Sequence, residues 1–414
     1  MRKLGIWFGL VLGLAIAILT IFSPPALALT EEQKLYNEAW RIVSQSYVDE
    51  SFNGNNWWLV RQNALKQPLP DREATYTAIQ QMLTKLEDPF TRLLKPAQYR
   101  SLQTTTTGEL TGIGLQISLD AKTGYLEVIT PIEGSPAAKA GLHPKDQILQ
   151  IDGTPTNQLT LDEAAERMRG PVGSSVLLTV RHPDAPSSDQ LKINLKRDRI
   201  ALNPVQAELK TLDDGSKLGY IRLNQFNANA TTQMAQAIQR LEKQGSDRYI
   251  LDLRSNPGGL LQAGVDIAEL WMNPGTIVYT VDRQGILGSF SANQPALTHD
   301  PLVVLVNQGT ASASEILAGA LQDTGRAKLV GEKTFGKGLI QSLFNLSDGS
   351  GLAVTIARYE TPSHHNIDKV GITPDLVVAL APIAIDQVGT DTDQQYQAAV
   401  QLLDTPAVMA NALR

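Results

Sequence analysis

The chain has 414 residues, 42% hydrophobic and 19% charged, a balance that fits soluble globular structure with more than one core. It contains no cysteine, which excludes structural disulfides, thiolate nucleophiles and cysteine-ligated zinc. A formal net charge of −6, with basic residues scattered, gives no electrostatic footprint for nucleic acid.

Arg2 and Lys3 precede an apolar run from Leu4 to Phe22, followed by Pro24, Pro25 and Ala26-Leu27-Ala28. That order is the order of a secretory signal peptide over residues 1–28, cleaved after Ala28. An uncleaved anchor is the alternative, and either one places the working protein beyond a membrane. Residues 29–103 read as a helical lobe. Leu35, Trp40, Val43 and Tyr47 recur at helical spacing, as do Tyr76, Ile79, Leu83 and Leu86. Asp71 stands at an N-cap position, and Asp88-Pro89 closes the second run. Such a lobe is either a structural cap or a gating or dimerising element.

Over residues 104–197 the pattern changes to short strands broken by glycine and proline. Leu115 to Leu119, Leu126 to Ile129, Gln147 to Ile151 and Val176 to Val180 are the strands, and Leu161 to Met168 is one amphipathic helix. His182 to Asp189 reads as a hairpin loop. Over residues 198–380 strands alternate with helices: Tyr249–Leu253 precedes a helix over Leu260–Trp271, and Leu302–Asn307 precedes one over Ser312–Leu321. Alternation of this kind predicts a mixed α/β core with parallel strands. Further strands are expected at Val354–Arg358 and Leu376–Ala379. Residues 381–414 carry a last helix, Gln394 to Leu403, that packs back on the body.

Gly112-Ile113-Gly114-Leu115 opens a strand with two glycines, so that successive N–H groups can converge on a carboxylate. An extended peptide can then pair with Leu115–Leu119 and end its chain there. By itself such a string is usually a turn. It is followed, however, by Gly134-Ser135-Pro136-Ala137-Ala138-Lys139-Ala140-Gly141-Leu142 and by Asp146-Gln147-Ile148-Leu149-Gln150-Ile151-Asp152-Gly153. Together these strings resemble a PDZ domain. The resemblance implies that Ile113, Gly114 and Leu115 receive the free C-terminus of a protein substrate, with an apolar last residue. Lys145 departs from the glycine usual in that family. Arg169 is either a solvated surface residue or a contact to the core.

Five histidines lie in no triad-like motif, and both HExxH and the GxSxG elbow are absent. What remains is Asn307-Gln308-Gly309-Thr310-Ala311-Ser312-Ala313-Ser314-Glu315, an apolar strand that turns sharply into a helix. Ser312 stands at the helix start, beside N–H groups suited to an oxyanion. Ser312 and Glu315 also have the S-x-x-E spacing of a capping box, which is the purely structural alternative. Thr334-Phe335-Gly336-Lys337-Gly338 sets a lysine between glycines and apolar residues. A general base must be neutral, and bringing a lysine from about 10.4 to about 7–8 takes roughly 4 kcal/mol. A helix N-terminus supplies only about 0.3–1 kcal/mol, so burial has to do most of this. Gln341 can hold the amine without adding negative charge. Asp252-Leu253-Arg254-Ser255-Asn256-Pro257-Gly258-Gly259 is a second strand-to-helix turn, whose Gly258 and Gly259 N–H groups could join that of Ala313.

These three strings, with Ser312 and Lys337 25 residues apart, resemble the carboxyl-terminal (tail-specific) processing peptidases. The resemblance implies an α/β multidomain protein: an N-terminal helical lobe, an inserted PDZ domain and a mixed α/β (ClpP/crotonase-like) serine peptidase core. It makes Ser312 the nucleophile, Lys337 the general base and Gln341 its orienting partner, with Gly259 and Ala313 as the oxyanion hole. The family's charge relay also includes an acid that falls on Asp323. A helix from Ser312 would carry that residue about 16 Å along the axis, where it caps the helix instead of touching the base. Asp252 and Arg254 read as a structural ion pair. Ala357 to Pro362 and Asp348 to Gly351 resemble the photosynthetic branch, which removes a C-terminal extension from a photosystem II reaction-centre protein precursor. That implies an exported enzyme of the thylakoid lumen or periplasm, with a substrate that can lie close to a membrane. No metal or organic cofactor is implied. Alternatives are a general periplasmic tail-specific protease, a non-catalytic tail-binding scaffold and an acyl-CoA enzyme of crotonase type. Oligomeric state is not legible.

Overall fold

The run Leu302–Val306 is apolar at every position, and its alternate residues belong to different cores. Leu302, Val304 and Val306 pack with the helices Ala230–Lys243, Leu261–Trp271 and Ala313–Asp323, whereas Val303 and Leu305 pack with Gln394–Leu403. A strand buried on both faces reads as continuous hydrophobicity, which is the signature of a parallel sheet between helical layers. The computed structural model describes residues 29–120, 123–132, 134–183, 190–379, 384–405 and 408. The expected signal peptide therefore lies outside the described residues.

The central sheet has six strands in the order Val205–Thr211, Lys217–Leu223, Arg248–Asp252, Leu302–Val306, Lys328–Gly331, Leu376–Val377. The first pair is antiparallel and the others are parallel. A second sheet, antiparallel, lies beyond the three helices. Its longest strand, Gly351–Glu360, pairs with Leu339–Asn345, with Gly275–Asp282 and with Arg92–Leu94.

The helical lobe comprises Glu31–Ser46, Trp57–Leu65, Arg72–Thr84 and Pro96–Thr107. Asp71 is the N-cap of the third, where its carboxylate accepts from the Ala74 N–H at 2.8 Å. The lobe is not self-contained. Its core includes Leu346, Leu352 and Val354 from the antiparallel sheet, and it gives that sheet the short strand Arg92–Leu94. The fourth helix also continues to Thr107, past the expected end of the lobe at 103.

The β-rich module is inserted through a two-stranded stem, Glu109–Gly112 against Asp198–Ala201. Above it, Leu115–Leu119, Leu126–Pro131, Gln147–Ile151, Ser175–Arg181 and Leu191–Lys196 form one antiparallel sheet. The helix Leu161–Met168 packs on it through Ala164 and Met168. Lys145 has φ +71°, the left-handed backbone that explains why glycine suits this turn.

Candidate active site

Two strand-to-helix turns, after Arg248–Asp252 and after Leu302–Val306, interlock. The Thr310 hydroxyl donates to the Leu253 carbonyl at 2.9 Å, and the Ala311 N–H donates to the Asn256 carbonyl at 3.0 Å. In return the Asn307 side-chain oxygen accepts the Ser255 N–H at 2.8 Å. These bonds bring Gly258 so close to Ser312 that a Cβ on it would sit 2.9 Å from the Ser312 Cβ. Only glycine allows that approach. Ser312 itself has φ +57° and ψ −118°, a strained setting for a serine, of the kind that persists where surrounding bonds enforce it.

Glu315, fully buried, is that enforcement. Its Oε2 accepts from the N–H of Ser312 and of Lys337, each at 2.9 Å. Its Oε1 accepts from the Gly336 N–H at 2.7 Å and from the Thr334 hydroxyl at 2.5 Å. The capping-box spacing thus forms, but the same carboxylate also fastens the lysine loop. Tyr359, likewise buried, sets its hydroxyl between the carbonyl oxygens of Ser312 at 3.1 Å and Lys337 at 2.5 Å. Burial, followed by the negative charge of Glu315, pushes its phenol well above the usual range, so it remains a donor.

Ser312, Lys337, Gln341, Gly259 and Ala313 line one cavity of about 540 Å³, together with apolar residues that include Leu260, Ile316 and Leu339. The N–H groups of Gly259 and Ala313 donate to no acceptor among the described residues. That of Gly258 does, to the Asn256 side-chain oxygen at 2.9 Å, so Gly258 is not available to an oxyanion as its sequence position suggested. Gly259 has φ +149°, and a Cβ there would overlap the Phe226 carbonyl.

Lys337 is held half-buried, and its Nζ has no hydrogen-bond or ion-pair partner among the described residues. Nζ lies over the Phe90 ring, 4.8 Å from its centroid. Burial lowers the amine's pKa from its ordinary value, and the Arg92 guanidinium lowers it further; Asp88 and Glu315 oppose this. Phe90 and Arg92 belong to the helical lobe, whose turn is fixed by Asp88 accepting the Phe90 N–H at 2.9 Å and the Thr91 hydroxyl at 2.6 Å. No hydrogen bond joins Lys337 Nζ to Ser312 or to Gln341, whose amide nitrogen instead points at the Thr355 hydroxyl at 3.5 Å.

Asp323 does not line the cavity. At the far end of the helix from Ser312 it accepts the Ser363 N–H at 2.9 Å and lies 3.6 Å from His365. Asp252 and Arg254 form the expected pair, and a larger one. The buried guanidinium reaches Asp252 at 2.7 Å, Asp393 at 2.7 Å and the Gln395 side chain at 3.1 Å. Burial works against its charge, but the two carboxylates outweigh that and hold its pKa above the ordinary value. The network ties the C-terminal helix to the turn that carries Gly258 and Gly259.

In the inserted module Ile113, Gly114 and Leu115 line a narrow groove against Ala165, Met168 and Arg169 of the facing helix. Gly114 has φ +77°, and a Cβ there would come within 2.3 Å of Ser135. Arg169 pairs with Glu166 at 3.0 Å on its own helix and lies at the groove.

A profile of "Peptidase family S41" matches residues 217–378, and a "PDZ domain" profile matches residues 127–182. The "Carboxyl-terminal-processing protease" of Picosynechococcus sp. is 58% identical over 96% of this chain and 96% of its own length. "Carboxyl-terminal-processing peptidase 2, chloroplastic" of Arabidopsis thaliana is 46% identical over 87% of this chain and 72% of its own. Among solved structures, one titled "Photosystem II D1 C-terminal processing protease" is 41% identical with a TM-score of 0.57, covering 92% of this chain and 99% of that one.

Proposed function

Because this chain belongs to peptidase family S41 and is a serine-type carboxyl-terminal-processing peptidase, we propose that Ser312 is its nucleophile and Lys337 its general base. The neutral Lys337 amine takes the Ser312 proton as Oγ attacks the scissile carbonyl carbon. The resulting oxyanion is received by the N–H groups of Gly259 and Ala313. Lys337 then returns the proton to the leaving nitrogen, which frees the C-terminal fragment and leaves an acyl-enzyme. Water, deprotonated by Lys337, hydrolyses the ester and restores Ser312. Gln341 positions the amine once it leaves the Phe90 ring. Asp323 holds the Ser363–His365 segment instead of relaying charge. The observation that supports this assignment above all is Glu315, whose one carboxylate oxygen accepts from both the Ser312 and the Lys337 N–H.

The substrate is a protein whose free, apolar C-terminus pairs with Leu115–Leu119 and ends at the N–H groups of Ile113, Gly114 and Leu115. By similarity to the relative of known structure, the substrate is the precursor of a photosystem II reaction-centre protein, which loses its C-terminal extension. Residues 1–28 are a signal peptide, and the mature enzyme works in the thylakoid lumen or periplasm. A peptide with the precursor's C-terminal sequence, offered with a free carboxylate and as its amide, tests this reading. Cleavage of the acid, weak cleavage of the amide and binding without cleavage by Ser312→Ala are expected. Undiminished turnover by Ser312→Ala overturns it.

A further inference from the structure

Away from the cavity and the peptide groove, two histidines converge on a buried carboxylate. Asp146 is fully buried at the start of the strand Gln147–Ile151. Its Oδ2 accepts the His143 N–H at 2.9 Å, and its Oδ1 lies 2.5 Å from Nδ1 of His182. His182 follows the strand Ser175–Arg181, whose Arg181 is the register partner of Gln147, so sheet pairing places the two ends together. The imidazoles of His143 and His182 have centroids 6.2 Å apart and planes 61° apart.

One potential ligand atom from each of the three residues lies within 4.8 Å of the others. Among the described residues no other trio of histidine, aspartate or glutamate does so. The nearby cation Arg181 is turned to the Gln147 side chain, and His182 is the sole basic partner of Asp146 among the described residues. A buried carboxylate is stabilised by compensating positive charge, which a bound cation supplies. His143 is exposed and the His182 side chain is 37% exposed, so an ion has an entry path.

We propose that His143, Asp146 and His182 form a binding site for a divalent transition-metal ion of the zinc class. Two imidazole nitrogens with one carboxylate select zinc, cobalt or nickel over calcium or magnesium, which prefer all-oxygen sites. Zinc–nitrogen bonds of about 2.0–2.1 Å require the exposed His143 ring to swing inward, which its lack of other side-chain hydrogen bonds allows. None of the three residues lines the catalytic cavity or the peptide groove. The ion's role is structural: it joins the turn 143–146 to the end of the strand at 182 and stiffens the peptide-binding module.

The test uses the whole chelator-stripped protein, titrated with cobalt by visible absorption and with zinc by calorimetry and thermal unfolding. One ion per chain is expected, with a higher unfolding temperature when zinc is present. His143→Gln and His182→Gln each remove a direct ligand, so each should weaken binding by at least the roughly 10- to 100-fold that loss of a ligand's hydrogen-bond partner costs, and remove the thermal shift. His143 is exposed, so unfolding of metal-free His143→Gln at the parent temperature establishes that its fold is intact. Absence of saturable uptake overturns the proposal, as does uptake that survives both substitutions. So does loss of uptake on changing His364 and His365, which lie 3.0 Å from Glu360 and 3.6 Å from Asp323.

Discussion

Lys337 donates its backbone N–H to Glu315 Oε2 at 2.9 Å, and the same oxygen holds the Ser312 N–H at the same distance. A glutamine at 315 has one acceptor oxygen, so its NH₂ would confront two of the four donors. Hydrogen bonds to charged groups are worth about 1.5–3 kcal/mol each, and losing their alignment displaces both proposed reacting residues. Glu315→Gln should therefore lower kcat at least about tenfold with KM little changed. Steady-state kinetics on the precursor peptide, with thermal unfolding measured in parallel, check this.

The pH profile of kcat/KM tests the proposed base. With Lys337 as that base, activity rises as pH passes upward through the lysine's pKa, which burial and Arg92 hold below the ordinary value. Arg92→Gln removes a like charge, raises that pKa and moves the acid limb to higher pH. Phe90→Ala admits water and moves it the same way. Phe90→Leu keeps the site dry but removes the ring face that favours the cation. That limb should move to lower pH, by about 0.5–1.5 units. Identical profiles for Phe90→Ala and Phe90→Leu would contradict the role of the ring.

Arg254→Met leaves Asp393 buried without its cation and Asp252 with only the more distant Arg222, 3.9 Å away. A cost of about 3–5 kcal/mol is expected, read as a lower midpoint of thermal unfolding. Arg254→Lys should recover only part of it, because an ammonium cannot make the paired bonds to two carboxylates.

Gly114→Val forces a branched side chain into a left-handed backbone and against Ser135. KM for peptides with a free apolar C-terminus should rise, while the rate at saturation holds. A matching fall in kcat would mean that the groove does more than bind.

Much of this was legible from local pattern. The helices Leu161–Met168 and Gln394–Leu403 and the strands Leu115–Leu119 and Gln147–Ile151 lie where their periodicity places them, because each carries its own apolar face. The strand Arg92–Leu94 was not legible: three residues show no alternation, and they extend because Gly351–Glu360 offers them a partner. Neither was the hairpin Gly275–Asp282 with Gly285–Ala292 singled out. At the site, spacing placed Ser312, Lys337, Gly259 and Ala313 in strings that meet at one cavity. It gave Glu315 only a capping role, since its other donors lie 19 to 22 residues further on. Phe90 and Tyr359 had no signal, because their contacts with Lys337 exist only after the lobe and the sheet have folded around it.

Single-turnover acylation of Ser312, followed by mass spectrometry with the precursor peptide, is the most direct test of the dyad. The parent protein should accumulate an acyl adduct on Ser312 at a rate that climbs with pH. Lys337→Arg, which cannot shed its proton, should form none. Acylation of Lys337→Arg at the parent rate would contradict the account.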